Sequence, residues 1–346
     1  MPTQNALDVS RRRDVLHWLG SAALCATAGQ PFAAPAFAAD AKPIRGVMPI
    51  VVTPYTPTGE IDWEDLARQM MFYEHCGLQG AVWPQGSSDV DLMSKDERIK
   101  GMAIIANSCR PLKLASILGV QGATTAEMLE YARYAETLAP DALIAMPPSA
   151  EQSMEAYRAY YKALAGVTKR PVIIQTDLPN MSNALAPSTD LLFELAREYP
   201  NLGYVKEEAR PLVARMRAEV NERPLMKGVF GASGGNGWLF ELRLGLNGEA
   251  TAQGAYADVM EKIWQLYQAG KHAESVEAFA KLLLMKNCEA QIPGTQRYVF
   301  KKRGVFKSTA ARLSGGRVFI PDFKPDEIAE IEMRFATLKP LLVEAA

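Results

Sequence analysis

The sequence predicts an α/β fold, a (β/α)8 TIM barrel with a helical C-terminal extension, and three observations predict it. From residue 46 onward, short apolar runs alternate with longer segments of helical period, the signature of βα units. Eight such pairs fit into about 220 residues, the size and alternation of this barrel. No Gly-x-Gly-x-x-Gly follows the first apolar run, which argues against a doubly wound open sheet.

The elements follow in order. Gly46 to Thr53 reads as the first strand, and Asp62 to Cys76 as a helix with Asp62 as N-cap and Leu66, Met70 and Tyr73 near one face. Gly80 to Pro84 is the second strand. Ser94-Lys95-Asp96-Glu97 is a capping box that opens the next helix. Leu114 to Leu118, Ala142 to Met146, Pro171 to Gln175, Leu202 to Lys206, Met226 to Phe230 and Glu249 to Ala252 are the remaining strands. Helices fall between them, with Thr124 as one cap and Pro187 near the first turn of another. The expected boundaries are barrel 39–270 and extension 271–346, the latter read as helical from positions such as Val276, Phe279, Leu283, Ile328, Ile331 and Phe335.

The first 38 residues are a different kind of sequence. Arg11-Arg12-Arg13, an apolar stretch from Trp18 to Ala28, and Ala36-Phe37-Ala38 form a basic start, a short apolar middle and a small-residue end. This reads as a twin-arginine-type export signal, and a periplasmic location without a membrane anchor after cleavage is the expectation. Hydrophobic content of 48% suits a full core, and a formal charge of −1 points to no nucleic-acid partner. Beyond the signal, Cys76, Cys109 and Cys288 are odd in number and widely spaced, so neither a disulfide framework nor a metal site is expected.

In such a barrel, chemistry belongs at the C-terminal ends of the strands. The sixth strand ends in Lys206, followed by Glu207 and Glu208. Burial disfavours an ammonium, and an uncharged amine attacks carbonyls; the alternative is a snorkelling lysine paired with Glu207 or Glu208. Across the mouth, Gly86-Ser87-Ser88 offers backbone and hydroxyl donors for a carboxylate, or is a simple turn. Together they suggest a 2-oxo-acid site.

These residues carry a resemblance. The chain, from about Arg45 to its C-terminal helices, resembles the dihydrodipicolinate synthase / N-acetylneuraminate lyase family of class I aldolase-type barrels. Gly46 to Tyr55 with Gly59-Glu60-Ile61-Asp62 is similar to the family's first strand and loop. Gly86-Ser87-Ser88 leading to Leu92-Met93-Ser94 and Glu97-Arg98 is similar to its Gly-Thr-Thr-Gly-Glu signature, and Tyr204-Val205-Lys206-Glu207 to its Schiff-base lysine motif. The resemblance implies imine formation by Lys206 with pyruvate or a related 2-oxo acid, no cofactor, and a homo-oligomer, dimer or tetramer.

The departures are equally specific. Where the family has Tyr-Asn-x-Pro after the fifth strand, this chain has Gln175-Thr176-Asp177-Leu178-Pro179, so Gln175 or Thr176 takes the tyrosine's place depending on the direction of counting. Pro147-Pro148-Ser149 replaces the tyrosine pair after the fourth strand, and Asp89-Val90 replaces Gly-Glu. Asp177, with Gln175 or Thr176, is the expected proton handler; Asp89 and Glu208 are further candidates. Ser87, Ser88, Gly86, Tyr55 and Gly231 complete the expected substrate-binding set. The reading is a lyase or aldolase, with a dehydratase or hydrolase of an oxidised sugar acid, or a small-carboxylate binding protein, as alternatives.

Overall fold

Alternation along each strand sorts side chains to two sides, and this builds the barrel. The computed structural model describes residues 42–177 and 185–343; the expected export segment, 1–38, lies outside the described residues. Eight strands pair in parallel: β1 (Gly46–Val47), β2 (Gly80–Trp83), β3 (Ala115–Gly119), β4 (Ala142–Ala145), β5 (Val172–Gln175), β6 (Tyr204–Lys206), β7 (Gly228–Gly231) and β8 (Gly248–Glu249). Their order is β1-β8-β7-β6-β5-β4-β3-β2. A parallel bridge from Ile50 to Val82 ties the remaining seam, with Val51 N–H donating to Val82 O at 2.9 Å and Val82 N–H to Pro49 O at 3.0 Å.

Inward positions make a small apolar core of Met48, Ile50, Val82, Ile117, Ile144, Ile173, Phe230 and Ala250. Outward positions such as Val47, Leu118, Leu143, Ile174, Val205 and Val229 join the larger core under the helices. That two-sided burial is why the strands read as continuous apolar runs.

The helices are α1 (Trp63–His75), α2 (Lys95–Cys109), α3 (Thr125–Leu138), α4 (Met154–Val167), α5 (Thr189–Glu198), α6 (Leu212–Asn221), α7 (Trp238–Leu244) and α8 (Ala257–Gln268). The Asp62, Ser94 and Thr124 caps form as their side chains predict, each accepting from a backbone N–H of the first turn. Cys76, Cys109 and Cys288 are buried and free.

The C-terminal extension contains α9 (His272–Gln291), α10 (Thr295–Lys302) and α11 (Pro325–Ala336). It is not helical throughout. A two-residue antiparallel pair, β9 (Ala311–Arg312) with β10 (Val318–Phe319), interrupts it. Gly304, Gly315, Gly316 and Pro321 break the helical period here, and long-range ties hold the segment instead. Arg312 donates to Gly59 O at 2.7 Å and to Leu92 O at 3.0 Å, and pairs with Glu97 at 2.7 Å.

Candidate active site

The site grows from the register of β5 and β6, in which Gln175 stands opposite Lys206. Ile173 and Tyr204 face the barrel interior, so two residues further on Gln175 and Lys206 face it too. Lys206 is only 5% exposed. A buried ammonium needs a counter-ion, and Glu208 supplies it: Nζ donates to Oε2 at 2.6 Å. The same oxygen accepts from Gln175 Nε2 at 2.8 Å, while Oε1 accepts from the Ser233 N–H at 3.2 Å. Lys206 is therefore ion-paired, where the sequence suggests an uncharged amine.

Thr176 and Glu207 belong to the opposite side of the same strands. The Thr176 hydroxyl donates to Glu207 Oε1 at 2.6 Å and accepts from the Glu208 N–H at 2.9 Å. Arg215 Nε on α6 donates to Glu207 Oε2 at 3.0 Å. Glu219, buried beside them, is pushed up to about 11 by burial first and by the neighbouring Glu207 carboxylate next. Thr176 thus fastens β5 to β6. Asp177 is half-buried and next in the chain; residues 178–184 lie outside the described residues.

The expected carboxylate clamp divides as well. Ser87 is exposed at the mouth. Ser88 is buried, and its hydroxyl donates to Val51 O at 2.7 Å, so it holds the loop to β1. Gly86 opens the short turn Gly86–Ser88. Tyr55 is 1% exposed, with the Arg297 and Arg312 guanidinium groups 5.4 and 4.9 Å from its ring centre. Burial, with the Asp89 carboxylate next in importance, pushes its phenol far above the ordinary range, so it makes a poor proton donor.

Gly231, an expected substrate-binding residue, ends β7 against two buried carboxyls. A Cβ there would stand 2.0 Å from Glu241 Oε2 and 2.3 Å from Glu249 Oε2. Burial raises both carboxyls: Glu241 to about 7, and Glu249, also under the charge of Glu241, well above its usual value.

The fold and this geometry can be set beside known proteins. The Dihydrodipicolinate synthetase family model matches residues 43–314. The chain belongs to this family. Among its relatives, a protein of Coccidioides immitis named as a candidate mitochondrial 4-hydroxy-2-oxoglutarate aldolase is 25% identical, covering 82% of this chain and 92% of the relative. The L-2-keto-3-deoxyarabonate dehydratase of Azospirillum brasilense is 23% identical over 87% of this chain and 97% of its own length. The solved 4-hydroxy-tetrahydrodipicolinate synthase of Methylacidiphilum fumariolicum SolV superposes with a TM-score of 0.74 at 19% identity, covering 87% and 97% of the two chains. That likeness concerns the fold. Its relatives by sequence include proteins named as lyases and dehydratases.

Sequence reasoning weighed Glu208 without giving it a place. The available signal was its spacing, since residues 206 and 208 share a face in an extended chain. Arg297, Glu241 and Glu249 left no local signal.

Proposed function

We propose that the protein is a lyase that binds pyruvate or a related 2-oxo acid as an imine on Lys206. The observation that carries this reading is the Lys206–Glu208 pair at the end of β6, buried and 2.6 Å apart. A carboxylate in contact with the amine gives its proton somewhere to go. When the keto carbon approaches, Glu208 takes a proton from Nζ, and the amine adds to the carbonyl carbon. The alkoxide formed on addition takes a second proton from the added nitrogen to give a carbinolamine; Glu208 then returns its proton to that hydroxyl, water leaves, and a protonated imine joins Nζ to the former keto carbon. The imine draws electrons from the neighbouring carbon, whose proton Glu208 then accepts to give the enamine. Carbon–carbon bond formation or cleavage proceeds through that enamine. Gln175, bound to the same carboxylate oxygen, fixes the orientation of Glu208.

A second outcome for the same enamine is loss of a hydroxyl as water from an oxidised sugar acid. Two observations favour including it: the base lies at the imine nitrogen, next to the carbon that must lose a proton, and one relative is named a dehydratase of a 2-keto-3-deoxy sugar acid. An oligomeric assembly and export to the periplasm, read from residues 10–38, belong to this proposal and are tested by sizing and cell fractionation.

The deciding experiment is borohydride reduction in the presence of a panel of 2-oxo acids, followed by peptide mass analysis. A reduced adduct on Lys206 is expected, and none in Lys206→Met. An unmodified lysine across the whole panel sinks the proposal. Product analysis with sugar acids then separates release of an aldehyde from release of water.

A further inference from the structure

Barrel strands β1 and β8 end beneath the C-terminal extension, and a cavity of about 340 Å³ lies between them. Its lining includes Val52, Ser87, Ala252, Gln296, Arg297 and Thr309. Ala252 packs on the inward core that holds Phe230, the register neighbour of Lys206. The cavity therefore opens at the same mouth, two strands from the lysine, or roughly 10 Å along the wall.

Arg297 is the cation of this cavity, and its side chain is only 12% exposed. One arm of the guanidinium is committed: Nη1 donates to Thr53 O and to Ala310 O, both at 3.0 Å. Among the described residues the other arm, Nη2, meets the Asp89 carboxylate at 3.5 Å, beyond good hydrogen-bond length. A desolvated guanidinium with an underused arm is suited to a planar anion. Ser87 lines the same cavity, whereas the Ser88 hydroxyl is already spent on Val51 O.

Resting on the imine reading above, we propose that Arg297 binds the carboxylate of the 2-oxo acid together with Ser87. The C-terminal segment thus supplies the charge that the 86–88 turn lacks, and it makes the site selective for acids over neutral ketones. Asp89 is the internal competitor for the same arm.

The test uses the full chain, borohydride trapping, and two probes: pyruvate and its uncharged methyl ester. Arg297→Met is expected to raise the pyruvate concentration for half-maximal trapping by about ten- to hundredfold and to leave the ester within about twofold, as loss of a charge-assisted hydrogen bond requires. An equal loss for both probes, or no change for either, overturns the proposal, because a purely structural arginine does not read the charge of the ligand. Should Arg297→Met fail to fold, Asp89→Asn serves instead. It frees Nη2 and is expected to tighten pyruvate but not the ester; equal or absent effects again overturn it. Calorimetry with pyruvate on Lys206→Ala separates the two proposals. Binding there that disappears on adding Arg297→Lys or Arg297→Met upholds the anion site even if wild-type protein gives no adduct. Binding indifferent to residue 297 removes it while the imine stands.

Discussion

Residues 206–208 place three charges on two sides of one strand, and the two sides behave differently. On the inward side, Lys206 and Glu208 meet Gln175 at the barrel mouth, with side chains 6% and 15% exposed. On the outward side, Glu207 is sealed beneath Arg215, Thr176 and Ala209, each of which donates a hydrogen bond to it. The outward set is a closed lock, with Glu219 buried beside it. The inward pair is joined instead to Gln175 and to the Ser233 N–H at the barrel mouth. One carboxylate is suited to chemistry and its neighbour to anchorage, because strand alternation sends them into different surroundings.

The largest expected effect breaks this comparison directly. Glu208→Gln should keep the fold and lower turnover by about 10²–10⁴-fold, the range for a lost general acid–base group; steady-state kinetics with circular dichroism decide it. Near wild-type turnover in Glu208→Gln would move the proton chemistry elsewhere, with Asp177 the first alternative.

Glu207→Gln should do the reverse. It breaks a buried pair with Arg215 and is expected to cost about 3–5 kcal/mol in chemical denaturation, while turnover per folded molecule stays close to wild type. A variant that is stable but inactive would erase the distinction between the two faces.

Gly231→Ala tests the crowding behind the site. Its methyl group would meet Glu241 and Glu249, and the variant is expected to lose about 1–3 kcal/mol of stability. Wild-type stability in the same denaturation measurement would show that the two buried carboxyls yield freely.

A last measurement sharpens the picture of the lock through pH. Glu219 has a folded value raised to about 11, far above its unfolded value, so the folded state holds a proton that the unfolded chain releases. Its contribution is full below the ordinary glutamate range and declines as pH rises toward 11. Thermal midpoints should fall between about pH 5 and 10, in line with that linkage, and Glu219→Gln should flatten the fall. An unchanged slope would mean that Glu219 is already ionised in the folded protein.

Much of the molecule is legible in the chain alone. The eight strands fall where apolar runs predict them, and Asp62, Ser94 and Thr124 cap the helices that they are expected to cap. These features depend on residues a few positions apart. The placement of Lys206 at a buried strand end is legible for the same reason. The partners of Thr176, Ser88 and Gly231 are not legible in this way, because near a strand end one residue of register exchanges the mouth for the outer layer. The β9–β10 pair goes unseen because two-residue strands carry almost no periodicity.

By itself, then, the sequence determined a parallel barrel with a lysine at the end of its sixth strand. Local periodicity and capping suffice for that, since each element is specified by its own neighbours. Only the tertiary structure decided that Glu208 is the partner of Lys206, that Glu241 meets Glu249 behind Gly231, and that Arg297 reaches Thr53 across 244 residues of sequence. Such pairings arise when the barrel closes and the C-terminal segment folds back over it. The reach of Arg297 to Thr53 in particular spans a separation that no short stretch of chain can encode.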